Sequence, residues 1–296
     1  MFLAFMDEIS CRDPDWVEFM QRALGYCLSG NVSEEKLLFW LGKGANGKSV
    51  LANIVRFIAG TYAATVPPAF MMQNRRDGGG ATPELAMLAG VRIALANEIE
   101  SGSKLSAQTV KVAVSTEHIT ARQLYGAPFT FAPTHKLLIR GNHRPIITDD
   151  DDGIWRRILL VPFALDVAPA HRDHGLEARL LTEAPGILRW TVEGVAKWQA
   201  GGLRPAKRVQ DASLAYRKDS DLLMQWVAER CEVAAGFDVP QAGAYGNYRL
   251  WCHDQGLRQY CKASFTRGLI ERGFGEGRQG GGARQRLYTG LRIANV

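Results

Sequence analysis

The sequence predicts an α/β fold, a parallel sheet with flanking helices, preceded by a short helical segment and followed by a smaller α+β domain. Three observations predict it. A short apolar strand at 36–41 runs straight into the glycine-rich stretch 42–49 and then into an apolar helical pattern at 50–59. Further strands at 91–96, 136–140 and 158–161 are continuously apolar rather than alternating, as strands covered on both faces are. The composition, 46% apolar and 22% charged over 296 residues, is that of a folded chain with one large domain or two.

The lead-in, residues 1–35, reads as helical because Trp16, Phe19, Met20, Ala23, Leu24 and Cys27 recur at i, i+3, i+4, i+7 spacing until Gly30 and Asn31 end the pattern. Its first ten residues carry Asp7 and Glu8 and no basic stretch, so they do not read as a secretory leader. No apolar run approaches the roughly 20 residues a membrane crossing needs. Five scattered cysteines without a CxxC pair argue against zinc and a disulfide scaffold and fit a reducing, cytoplasmic setting.

The core, residues 36–203, carries the chemistry. Gly42, Gly47, Lys48 and Ser49 match G-x-x-x-x-G-K-[ST], the phosphate loop. Backbone N–H groups over Gly42, Gly44, Asn46, Gly47 and Val50 would surround the phosphates of ATP, Lys48 would reach the outer oxygens, and the Ser49 hydroxyl would ligate Mg²⁺. Such an enzyme needs a second strand ending in acid. The strand at 91–96 ends in Asn97, Glu98, Ile99 and Glu100, which makes Glu98 the candidate metal and catalytic acid, with Glu100 as the fallback. The third strand ends in Gly141 and Asn142, an amide placed to sense the terminal phosphate or to serve only as a turn residue. The residue pattern alone pairs Arg156 and Arg157 with the aspartates at 149–152, and three consecutive glycines make 75–81 a mobile loop.

A composition shift at 201–205 places the boundary of a third domain, 204–296, with helices at 221–231, 246–255 and 263–271, a glycine-rich stretch at 274–284 and a strand at 285–293. That order is winged-helix-like. The whole net charge of +6 falls in 249–296, where nine basic side chains meet only Asp254, Glu271 and Glu276. A localised basic excess points to a polyanion such as duplex DNA, with Lys262, Arg267, Arg284 and Arg286 as contacts, or to a solvated face.

The motifs together resemble the superfamily 3 helicases, in the phage and plasmid primase-helicase branch. The resemblance rests on the run Leu38 to Ser49, on Ala96 to Glu100, on Ile119 to Tyr125 with Pro128 to Phe131, and on Gly141 to Pro145 followed by Asp152 to Arg157. It implies an AAA+-type ATPase core and a homo-oligomeric, hexameric ring around DNA. It also implies Lys48, Glu98 and Asn142 as catalytic groups, and one of Arg156 and Arg157 as a finger reaching the neighbouring subunit's ATP. A hairpin with its tip at Tyr125 would project into the pore, with Lys111 and Arg122 on single-stranded DNA phosphates and Tyr125 read as packing more than stacking. Asn97 departs from the second acid many members carry there. No primase domain precedes the motor, so priming would fall to a separately encoded partner, or the chain is a fragment. A DNA-stimulated ATPase without unwinding and a DNA-binding initiator with a decayed motor are the alternatives.

Overall fold

Apolar strands that leave no polar edge need cover on both sides, and the chain provides it. The computed structural model describes residues 1–73, 82–97, 102–147, 152–257, 259–278 and 285–294. In chain order run α1 (Phe2–Ile9), α2 (Pro14–Leu28), β1 (Leu37–Leu41), α3 (Lys48–Ala59), β2 (Ala63–Val66), α4 (Pro83–Ala86), β3 (Ile93–Asn97) and α5 (Ala107–Ala113). Then come β4 (Ile119–Arg122), β5 (Pro128–Phe131), β6 (Lys136–Gly141), α6 (Asp152–Trp155), β7 (Ile158–Pro162), α7 (Leu176–Leu181), α8 (Ala184–Gly201) and α9 (Lys207–Asp219). Contacts divide the chain into two compact units, Met1–Arg217 and Lys218–Val296.

The first unit is built on a five-stranded sheet of order β2-β3-β6-β1-β7 in which every neighbouring pair is parallel. Successive side chains alternate between two cores. Leu38 and Trp40 of β1, with Leu138 and Val161, pack against α1, α2, α3 and α8. Leu37 and Phe39, with Leu137, Ile139 and Leu160, pack on the other face with Val110 of α5. Because neither side is wetted, the strands read as unbroken apolar runs.

The helical lead-in is part of this unit. Asp13 caps α2, accepting from Trp16 N at 3.1 Å, and Pro14 opens the first turn. The buried face of α2 then lies on α8 so closely that a Cβ on Gly25 would overlap the Gly194 carbonyl carbon and lie 2.9 Å from Thr191 O. At the other end, α9 continues the unit beyond the composition shift at 201–205. It buries Val209 and Tyr216 in the two cores, and Leu160 N donates to Ser213 Oγ at 2.9 Å. No helix of the described residues is long and apolar enough to cross a membrane.

The second unit contains α10 (Leu222–Arg230), β8 (Cys231–Pro240), α11 (Gln241–Asp254), α12 (Lys262–Glu271), β9 (Gly275–Arg278) and β10 (Arg286–Ile293). Its sheet is antiparallel, in the order β8-β10-β9. Trp226, Tyr248, Phe265, Leu269 and Tyr288 form its core. Asp221 caps α10 through Met224 N at 3.0 Å and holds Arg272 Nε at 2.7 Å with its other oxygen.

With the division after Arg217, the second unit holds eleven basic and eight acidic residues. Its excess is therefore +3, and the first unit carries the other +3.

Candidate functional site

The glycine loop leaves the C-terminal end of β1 and enters α3 through backbone that side chains rarely adopt. Gly44, Ala45 and Gly47 have φ of +108°, +45° and +82°. A Cβ on Gly42 would overlap Asn46 Nδ2, so glycine is required there by a close approach. At Gly47 the crowding comes from outside the loop: a Cβ would strike Ile9 and lie 3.2 Å from Phe5 Cε2, both on α1. The first turn of α3 has no side-chain cap, which leaves its N–H groups to an anion.

Lys48, only 5% exposed, donates from Nζ to Gly42 O at 2.7 Å and to Asn46 Oδ1 at 3.0 Å. Asn46 is itself buried, and its amide donates to Phe163 O at 3.3 Å. These groups wall a cavity of about 590 Å³ together with Gly44, Gly47, Ser49, Val50, Asn97, Arg140 and Asn142. A buried ammonium, an uncapped helix start and glycines too crowded for a Cβ form a cradle that fits a nucleotide's phosphates. Ser49, in the first turn of α3, lines the same cavity. Glu98 and Glu100 lie outside the described residues, directly after β3, as do the loop 75–81 and Asp149 to Asp151.

Arg156 and Arg157 stand at the other end of the sheet. Leu37 pairs with Ile158, so both arginines precede β7 where β1 begins, while the loop follows where β1 ends. Five residues of strand separate the two ends by roughly 17 Å. The described carboxylate beside them is Glu35, while Asp152, the described member of the 149–152 run, pairs with Arg217. Arg157 is 9% exposed, with Nη2 3.1 Å from Glu35 Oε2 and Nη1 donating to Gly153 O at 2.8 Å. Arg156 reaches the same carboxylate only at 3.7 Å and keeps 65% of its side chain exposed. Burial pulls the Lys36 ammonium below its usual range, and Arg156 and Arg157 push weakly the same way.

Between α5 and β6, β4 and β5 form an antiparallel hairpin in which Arg122 pairs with Pro128. Tyr125 lies at its tip with φ +61° and is 99% exposed. The expectation that this ring packs is wrong, because a two-stranded hairpin brings no second layer over its tip. Arg122 Nε donates back to Gly126 O at 3.0 Å, whereas Lys111 sits in the last turn of α5, off the hairpin. In the second unit, Lys262, Arg267 and Arg286 line one groove of about 940 Å³ with Gln241, Thr266 and Glu276. Arg284 lies outside the described residues. Arg267 has Glu271 at 3.9 Å, and Arg272 and Arg292 are held by Asp221 and Glu232.

Residues 40–157, which span the loop, the hairpin and both arginines, match a family described only as a family of unknown function, DUF5906. The chain is 28% identical over 234 residues to "Putative helicase L207/L206" of Acanthamoeba polyphaga mimivirus, covering 73% of this chain and 24% of that protein. It is 29% identical over 253 residues to "Putative helicase 022R" of Frog virus 3, covering 79% and 26%. The chain thus spans about a quarter of the length of these curated relatives. Among solved structures, the apo C-terminal region of NrS-1 aligns with a TM-score of 0.56 at 11% identity, over 97% of this chain and 74% of that one, which is a likeness of fold.

Two site residues escape the sequence reading. Arg140 looks like the tail of a strand, although residues at the C-terminal ends of parallel strands face the crevice where such folds bind ligands. Glu35 gives no local signal, because its partner arginine is 122 positions away.

Proposed function

We propose that the chain is an ATP-dependent DNA helicase of the superfamily 3 type that acts in replication, with ATP and Mg²⁺ used between subunits of a homo-oligomeric, hexameric ring. The observation that carries this reading is the polarity of the sheet. The phosphate loop and Arg156 sit at opposite ends of β1, too far apart to meet on one nucleotide within one chain. Arg156, exposed and loosely held, is then the group that reaches a neighbour's terminal phosphate, and Arg157 is the buried anchor beneath it. Bound Mg²⁺ would neutralise phosphate charge through Ser49 and Glu98. Lys48 binds the outer phosphates, and Asn142, at the cavity wall, orients water.

Tyr125 at the hairpin tip would contact single-stranded DNA in the pore, with Arg122 and Lys111 on its phosphates. In the second unit, the order helix, strand, helix, helix, strand, strand, with β10 between β8 and β9, supports the winged-helix reading. Its groove at Lys262, Arg267 and Arg286 suits duplex DNA. The names of the viral relatives agree with this reading.

Strand displacement from a tailed duplex, with particle mass followed in ATP and DNA, tests the proposal. Displacement by a ring-sized particle is expected, with none from Lys48→Ala. Turnover without displacement at any tail polarity would leave a DNA-stimulated ATPase. DNA binding without turnover would leave an initiator with an inactive motor.

A further inference from the structure

Where the chain enters β1, three consecutive residues grip the two arginines that precede β7. Leu37 N donates to Arg157 O at 2.7 Å, and Lys36 Nζ donates to Arg156 O. Glu35 Oε2 accepts from Arg157 Nη2 at 3.1 Å and lies 3.7 Å from Arg156 Nη2. Successive side chains of an extended segment point to opposite sides, so two in a row do not ordinarily serve one target. Glu35 breaks that alternation. Its φ of +49° is a left-handed conformation, which a residue other than glycine keeps only where its surroundings hold it. The preceding Glu34 is engaged elsewhere, accepting from Trp198 Nε1 at 2.8 Å.

We propose that Glu35 and Lys36 are positioning residues for Arg156, fixing its root so that its exposed head meets ATP bound by the neighbouring subunit. This rests on the reading of Arg156 as the group that crosses between subunits. The backbone of Arg156 is tied on both sides, its N donating to Asp152 O at 3.0 Å and its carbonyl accepting from Lys36. Its side chain, by contrast, keeps 65% exposure and only the long contact with Glu35. Arg157 beneath it is clamped between Glu35 and Gly153 O. A guanidinium with a fixed root and a free head is directed before it meets a phosphate, and a small displacement of such a group is costly in rate. Neither Glu35 nor Lys36 has to touch the nucleotide. The strained backbone at Glu35 then has a use, since it brings two adjacent side chains to bear on one pair of arginines.

The test measures ATP turnover of the full chain, alone and in mixtures of variants. Glu35→Ala should lower kcat about tenfold and leave KM for ATP within about twofold, because the loop that binds ATP lies at the far end of β1. Lys36→Met keeps the length of the side chain and removes its donor; it should lower kcat about threefold, and Lys36→Arg should recover most of the loss. Mixing separates positioning from mere stability. Glu35→Ala has an intact phosphate loop and a misplaced Arg156, so adding Lys48→Ala should restore part of the turnover and adding Arg156→Ala should restore none. Wild-type kcat in both Glu35→Ala and Lys36→Met, a raised KM at unchanged kcat, or equal restoration by the two partners would overturn the proposal. If Glu35→Ala does not fold, Lys36→Met carries the same mixtures. An inactive Arg156→Ala beside fully active Glu35→Ala and Lys36→Met removes this proposal alone. Full turnover in Arg156→Ala removes the reading of that arginine, and this proposal with it.

Discussion

Arg157 Nη2 lies 3.1 Å from Glu35 Oε2, and this one pairing separates two adjacent arginines into different jobs. Arg157 is buried but Glu35 is only half-buried and keeps Arg156 within reach, so Arg157→Ala should cost about 2 kcal/mol of unfolding free energy in urea. Arg156→Ala should change stability by less than about 0.5 kcal/mol, because its ion pair is long and mostly solvated. It should still bind ATP and fail to hydrolyse it, and mixing it with Lys48→Ala should restore part of the turnover. Full turnover in Arg156→Ala alone would remove it from the neighbour's site.

Tyr125 has no packing to lose. Tyr125→Ala should leave the unfolding midpoint unchanged while lowering affinity for single-stranded DNA about tenfold, the size of one base–aromatic stack. Fluorescence anisotropy on a labelled oligonucleotide reads this directly, and an unchanged affinity would take the ring out of the DNA path.

The α2–α8 crossing depends on having no side chain at Gly25 and Gly194. A Cβ at Gly194 would overlap Gln21 O, and the backbones cannot part without unpacking the core that includes Leu24 and Ile187. Gly25→Ala and Gly194→Ala should each destabilise by about 2 kcal/mol or more, although alanine favours helix at ordinary positions. A stabilised variant by thermal or chemical denaturation would show that the helices can separate.

His135 predicts a pH dependence. Its Nε2 donates to Ala113 O at 2.7 Å, while Nδ1 is buried without a partner. Burial holds its value down to about 4 from the ordinary 6.5. The unfolded chain therefore takes the proton first. The contribution is complete above pH 6.5 and is lost as pH falls toward 4, by about 3 kcal/mol in all. His135→Gln should flatten stability across that window, and an unflattened profile would assign the acid sensitivity to other groups.

In the second unit, Lys262→Ala and Arg286→Ala should each reduce the slope of log affinity against log salt on duplex DNA by about 0.9. Arg292→Ala, whose charge is held by Glu232 at 2.6 Å, should leave the slope nearly unchanged. Equal effects from all three would mean that the groove is not the contact surface.

The four strands that carry the motifs were legible because burial on both faces removes polar residues from them, and a run such as Leu37 to Leu41 has no other ready reading. The edge strand β2 was missed because Ala63 and Ala64 are only partly covered, Thr65 is exposed, and the three show no apolar run. The strand β8 was missed for a related reason, since most of its side chains are exposed and Gly236 interrupts it. Helix α1 is only eight residues long, and its acidic Asp7 and Glu8 disguise a buried face of Phe2, Phe5, Met6 and Ile9. The loop residues from Gly42 to Val50 could be read from spacing. Arg140 and Glu35 could not, because each takes its place from strand register, which spacing does not reveal.

The contact of Phe5 and Ile9 with Gly47 carries a lesson for anyone shortening this chain. The two side chains hold no polar atom and touch no phosphate, yet they form the floor on which the loop rests. A fragment trimmed to begin at the loop strand would retain every recognisable motif and lose the surface that shapes the first of them. On the proposed reading of the loop, nucleotide affinity would then be set partly by a helix that carries no motif.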